Sequence, residues 1–153
     1  MSQNRKLLIL GAYRTEIEIV EAARNKGLYT IVADNHANWD EAPAKKIADE
    51  AWNISWSDIE QLSLRCKENN VMGVMAGFSE RRVICAKNLC AVLDLPFYAE
   101  SSDLDVITDK FLFKKCCKES GVPVPKEYVY GEHVDFPVIV KPADNGGSKG
   151  ITV

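Results

Sequence analysis

A chain of 153 residues, 46% hydrophobic and 27% charged, has the composition of an ordinary globular protein. Its net charge of −3, from 19 basic and 22 acidic side chains with no block of like sign, gives nucleic acid or an anionic membrane no foothold. No apolar run reaches the ~18 residues of a membrane span, and residues 7–11 are too short a stretch for the apolar region of a signal peptide.

The elements alternate. Lys6-Leu7-Leu8-Ile9-Leu10 is almost wholly apolar, as a central parallel strand is, and Gly11 follows it. Thr15-Glu16-Ile17-Glu18 fits a capping box with Thr15 as N-cap and Glu18 reaching back. The helix it opens runs to about Lys26, and Gly27 ends it. Residues 28–33 form a second strand closing on Asp34, and the crossover should be right-handed. Residues 35–49 hold Pro43 and read as loop with a short helix, and residues 51–54 as a short third strand near an edge. Ser57-Asp58-Ile59-Glu60 opens a helix ending around Asn69-Asn70; residues 71–76 are a fourth strand; a helix runs from Ser79 or Glu80 to Leu93. Leu95-Pro96-Phe97-Tyr98 is a short final strand or an extended exit.

After a polar link over residues 99–103 comes a helical region from about Leu104 to Glu119, interrupted near Thr108-Asp109 and stopped by Gly121. Val122-Pro123-Val124-Pro125 cannot be helix. Residues 126–130, Val138-Ile139-Val140 and Ile151-Thr152-Val153 read as three strands. The expected fold is therefore α/β. Residues 1–100 make a doubly wound, mostly parallel sheet domain, and residues 101–153 begin a second unit too small to bury a core alone. The chain is expected to be the front part of a longer protein.

Five cysteines, Cys66, Cys85, Cys90, Cys116 and Cys117, are odd in number and include no C-x-x-C. Reduced thiols on or near buried helix faces, in a reducing cytoplasm, are the expectation. His36 and His133 stand far apart with no partner motif, and neither is given a catalytic role.

Candidate chemistry lies in two places. The first βα turn, Gly11-Ala12-Tyr13-Arg14-Thr15-Glu16, keeps one glycine of the three in a dinucleotide fingerprint, although Asp34 falls where that motif expects an acid. Tyr13 and Thr15 stand where a close pyrophosphate needs no side chain. Ligands of open sheets still lie beyond the C-terminal strand ends. Gly11, Tyr13, Arg14, Asp34 and the Gly77-Phe78-Ser79-Glu80-Arg81 loop share that edge, and they suggest a small-molecule pocket. Arg81 and Arg82 also fit the solvated start of a helix.

The second place is Pro137–Val153. Asn145-Gly146-Gly147-Ser148-Lys149-Gly150 lies between two strands, so it is not a Walker A loop, which leads into a helix. Its glycines let backbone N–H groups approach a phosphate. Lys141 closes an apolar strand and wants an anion or a carboxylate. Lys110 begins a helix, where a cation is disfavoured unless a ligand anion or Asp109 offsets it.

Asp109-Lys110, Gly121-Val122-Pro123-Val124-Pro125, Phe136-Pro137-Val138-Ile139-Val140-Lys141-Pro142 and Gly146-Gly147-Ser148-Lys149-Gly150, in that order, resemble the start of an ATP-grasp module. The α/β domain ahead of them is similar to the pre-ATP-grasp domain of biotin carboxylase, carbamoyl-phosphate synthase large chain and the purine-biosynthesis ligases. The generic first half adds Ala48-Asp49 and Gly77-Phe78-Ser79-Glu80 to the resemblance.

The resemblance implies ATP and Mg²⁺ as cofactors. Lys110 and Lys141 would contact phosphate. Gly146, Gly147, Ser148, Lys149 and Gly150 would close over the β- and γ-phosphates. Gly11, Tyr13, Arg14 and Glu80 would be substrate-side or structural. The reaction implied activates a small carboxylate as an acylphosphate, which an amine or similar nucleophile then displaces. The family's Mg²⁺ ligands, a Glu and a Glu-x-Asn, and its adenine hinge lie downstream of this loop, so no metal ligand is expected within the chain and the chain alone is expected to be inactive. Two other readings stand beside it: a binding or assembly module of a split ligase, and a dinucleotide-binding domain. The resemblance leaves the substrate and a homodimer open.

Overall fold

The computed structural model describes residues 5–142, 150 and 152. Contacts divide the chain into two compact units, Met1–Tyr98 and Ala99–Val153. In the first unit four strands, β1 (Lys6–Leu10), β2 (Tyr29–Ala33), β3 (Glu50–Trp52) and β4 (Val71–Ala76), form a parallel sheet in the order β3-β2-β1-β4. Its helices are α1 (Arg14–Asn25), α2 (Ala44–Ile47), α3 (Ile59–Asn69) and α4 (Glu80–Leu93).

Strand side chains alternate between faces, and this sheet buries both. Leu8, Leu10, Ile31, Ala33, Val74 and Ala76 cluster with Leu62 and Cys66 of α3 and with Ala86, Leu89 and Cys90 of α4. Ile9 and Val32 cluster on the other face with Val20 of α1 and Ala44 of α2. The all-apolar run of β1 follows directly: every side chain from Leu8 to Leu10 is fully buried, whichever face it takes. Each such side chain contributes about 1.5–3 kcal/mol of burial.

The helix ends show where local chemistry decides. Asp58 caps α3, its Oδ1 accepting from the Gln61 amide at 3.0 Å. Asn70 and Asp94 end α3 and α4 in the left-handed region, where a short polar side chain is tolerated. The capping box of α1 sits two residues earlier than expected. Tyr13 rather than Thr15 is the N-cap, and Glu16 rather than Glu18 reaches back, its Oε2 accepting from the Tyr13 amide at 2.9 Å. The register is set by Gly11, whose φ of +92° turns the chain sharply at the end of β1, so the helix begins one half-turn sooner. Residues 95–98 form no strand, and the extended exit is what the structure has, with the Tyr98 hydroxyl donating to the Ala76 carbonyl at 3.0 Å.

In the second unit α5 (Ser101–Thr108) and α6 (Lys110–Glu119) meet at Asp109, where the interruption was expected. Asp109 caps α6 by accepting from the Phe111 and Leu112 amides at 2.8 and 3.0 Å. Residues 126–130 are not a strand, and of Val138-Ile139-Val140 only Val140 pairs, in one antiparallel bridge to Thr152. A strand needs a partner along its length, and among the described residues the second unit supplies one pair. All five cysteines lie in helices: Cys66 and Cys90 are buried, but Cys116 is exposed rather than on a buried face. Burial pushes the Cys66 thiol up to about 12, so it stays protonated and unreactive.

Candidate functional site

The C-terminal edge of the sheet carries a connected polar network. At its centre is Arg82, in the first turn of α4, a place where the helix dipole disfavours a cation. Its Nη1 pairs with Glu16 Oε1 at 2.8 Å and donates to the Leu10 carbonyl at 3.4 Å. Glu16 is fully buried and its oxygens are occupied: Oε1 also accepts from the Thr15 hydroxyl, and Oε2 holds the Tyr13 amide. A buried ion pair persists when its remaining hydrogen-bonding groups are satisfied, as those of this carboxylate are. Gly11 makes the room. A Cβ there would fall 1.8 Å from Arg82 Nη1. The loop after β4 also packs closely on α1, because a Cβ on Gly77 would fall 2.6 Å from Ile19 Cδ1.

From Arg82 the network runs outward along the edge. The guanidinium lies over the Tyr13 ring, 5.6 Å from its centroid. Tyr13 meets His36 edge to face at 5.5 Å. His36 is gripped by Asp34, whose Oδ1 accepts from the His36 amide at 2.8 Å and lies 2.6 Å from its Nδ1. Asp34 Oδ2 is the only fully buried side-chain polar atom without a partner among the described residues. Lys45, buried in α2, donates to the His36 carbonyl at 2.7 Å and to Asn53 Oδ1 at 3.2 Å. Burial pulls the Lys45 ammonium below its usual range, and the Asp34 charge opposes that shift. Behind this edge Thr30 gives both its amide and its hydroxyl to Asp49 Oδ2, at 2.8 and 2.7 Å.

Of the residues the sequence singled out, Gly11 and Tyr13 stand inside this network. Arg14 and Glu80 are exposed first residues of α1 and α4. Arg82 corrects the expectation of a solvated helix start, because it is 8% exposed. Sequence reasoning missed Glu16, His36 and Lys45. The available signal was a Glu and an Arg in the first turns of the helices after β1 and β4, but only strand adjacency makes them a pair. A hollow of about 400 Å³ lies elsewhere, between β3 and α3, lined by Trp52, Asn53, Gln61, Leu64 and Arg65 among others. Among the described residues, none of those lining it carries a fully buried side-chain polar atom without a partner.

The second unit holds a separate cluster. Lys110 donates from Nζ to the Pro142 carbonyl at 2.9 Å, so it reaches the residue next to Lys141 across 32 positions. Gly150, at φ +75°, approaches Pro142 closely, since a Cβ there would fall 2.9 Å from Pro142 Cγ. Together with the Val140–Thr152 bridge this brings the two ends of the glycine-rich loop side by side. Gly146, Gly147, Ser148 and Lys149 lie outside the described residues. Among the described residues no three or more His, Cys, Asp or Glu side chains are grouped so as to hold a metal ion.

Fold and relatives together define a class: the chain has the architecture of the N-terminal part of ATP-grasp ligases. No family model matches it. It is 27% identical over 95% of its length to formate-dependent phosphoribosylglycinamide formyltransferase of Prochlorococcus marinus, and 27% identical over 97% of its length to biotin carboxylase 1 of Bacillus subtilis. The chain spans 39% and 37% of those two curated relatives. Among solved structures, the ADP complex of an N5-carboxyaminoimidazole ribonucleotide synthetase matches 80% of the chain with a TM-score of 0.63 at 22% identity, and the match covers 31% of that protein.

Proposed function

We propose that the chain is the front end of an ATP-dependent ligase that activates a small carboxylate as an acylphosphate and passes the acyl group to an amine or similar nucleophile. The first unit presents the substrate-side edge. The second presents the first phosphate-contacting segment, in which Lys110, Lys141 and the loop of Gly146, Gly147, Ser148, Lys149 and Gly150 hold ATP. Lysines at such a site stabilise charge on the transferring phosphoryl group, and Mg²⁺ shares that work when bound. A carbamoyl-phosphate-synthase-like reaction and a cytoplasmic location belong to the same proposal.

The observation that carries the reading is the Lys110–Pro142 bond. It joins the first residue of α6 to the end of the Lys141 segment, as a two-cation phosphate site requires. The dinucleotide alternative is weakened by Arg82, which fills the space over the Gly11 turn that a pyrophosphate would need. The test is calorimetric titration of the 153-residue chain with Mg·ATP. Weak, millimolar binding that is lost in both Lys110→Ala and Lys141→Ala is expected. Binding that neither substitution changes would sink the assignment, and tight binding would contradict a phosphate site without its adenine partner.

A further inference from the structure

The Arg82 guanidinium is used on one side only. Nη1 carries the bonds to Glu16 and Leu10, while Nε and Nη2 have no partner among the described residues. Arg82 is nevertheless more than nine-tenths buried. Its unused donors are not fully enclosed, because among the described residues the only fully buried side-chain polar atom lacking a partner is Asp34 Oδ2. Nε and Nη2 are one complete fork of the guanidinium, the edge whose spacing matches the two oxygens of a carboxylate.

Three features converge on this edge. Arg82 stands where strand order reverses, β4 lying on one side of β1 and β2 and β3 on the other, and open α/β sheets receive ligands at that crevice. It sits in the first turn of α4 and touches the first turn of α1, so two helix N-termini add partial positive charge. Finally, Glu16 and the Tyr13 ring fix the guanidinium before any ligand arrives, so little rotamer freedom is left to lose on binding. A purely structural arginine would spend its donors on the protein, and this one keeps a paired edge unused.

We propose that the Nε/Nη2 edge of Arg82 is a carboxylate-binding site of the first unit, with Glu16 and Tyr13 as its positioning residues. The choice of a carboxylate as occupant rests on the ligase reading, but the site itself rests on Arg82. The test therefore reads binding without ATP, and can fail while ATP binding succeeds, or the reverse.

The chain, labelled with ¹⁵N at arginine, is titrated with acetate at constant ionic strength, with chloride and inorganic phosphate as parallel probes. The Arg82 Nε–H resonance is expected to shift saturably with acetate, less with phosphate and not with chloride. In Arg82→Lys, which keeps the charge opposite Glu16 but loses the fork, acetate monitored at neighbouring amides should bind about tenfold more weakly, the worth of one charge-assisted hydrogen bond. An unsaturable shift, an equal response to chloride, or stronger binding of phosphate overturns the proposal. So does unchanged acetate affinity in a folded Arg82→Lys chain. The wild-type titration decides alone if that variant does not fold.

Discussion

The two units of the chain use similar residues to different ends. In the first, both faces of a four-stranded parallel sheet are covered, and a large share of its Leu, Ile and Val side chains are fully buried. In the second, α6 has an amphipathic sequence yet no buried residue, and Phe111, Leu112 and Phe113 are all at least 43% exposed. The difference teaches that apolar content does not make a core. A sheet whose side chains alternate between two covered faces buries most of them, though Met72 and Met75 of β4 stay exposed, whereas a helix pair with one bridged residue pair has too few surfaces to do so.

Matched substitutions sharpen that contrast. Leu62→Ala should cost about 2–5 kcal/mol in urea unfolding, as a cavity in a packed core does, and Leu112→Ala less than about 1 kcal/mol. Equal losses would mean that α6 is as well covered as α3.

A smaller effect separates two left-handed glycines. Gly11 and Gly121 have φ of +92° and +72°, so alanine costs each about 1–2 kcal/mol in backbone strain. At Gly121 that should be all, since a Cβ there meets nothing within 4 Å. Gly11→Ala should cost more, because its Cβ also displaces Arg82 from Glu16. Comparable melting temperatures for the two variants would refute the tight approach of Arg82.

The smallest effect is acidic. Burial opposes ionisation of Asp49, but the Thr30 bonds and the Arg24 charge outweigh it and hold the carboxyl below its ordinary value of 3.8. A depressed carboxylate stabilises the fold at pH values above its unfolded pKa, and that stability fades as pH falls through the folded value. Unfolding midpoints of the native chain should therefore drop below about pH 4 more steeply than those of Asp49→Asn. Parallel acid limbs in the two proteins would remove Asp49 from the account.

The elements of the first unit were legible in sequence because their signals are local. Lys6-Leu7-Leu8-Ile9-Leu10 has the unbroken apolar run of a strand buried on both sides, Asp58 is a good cap, and Gly27 a good stop. The capping box was misplaced because Thr15-Glu18 and Tyr13-Glu16 differ only in where the chain leaves the Gly11 turn, a backbone matter the pattern does not hold. The expected strands of the second unit, over residues 126–130 and 138–140, were read from β-branched composition, which records a preference for a half-buried surface and not the presence of a partner.

The candidate sites divide the same way. Lys110 and Lys141 were visible because a lysine opening a helix and another closing an apolar strand are each locally odd. By itself the sequence determined the alternating α/β order, the glycine at the end of β1 and the order of the ATP-grasp-like motifs, since each depends on neighbours a few residues apart. Only the tertiary structure decided that Arg82 is a buried partner of Glu16 with one edge unused. That pairing spans 66 positions and exists because β4 crosses back to lie beside β1, which no local pattern encodes.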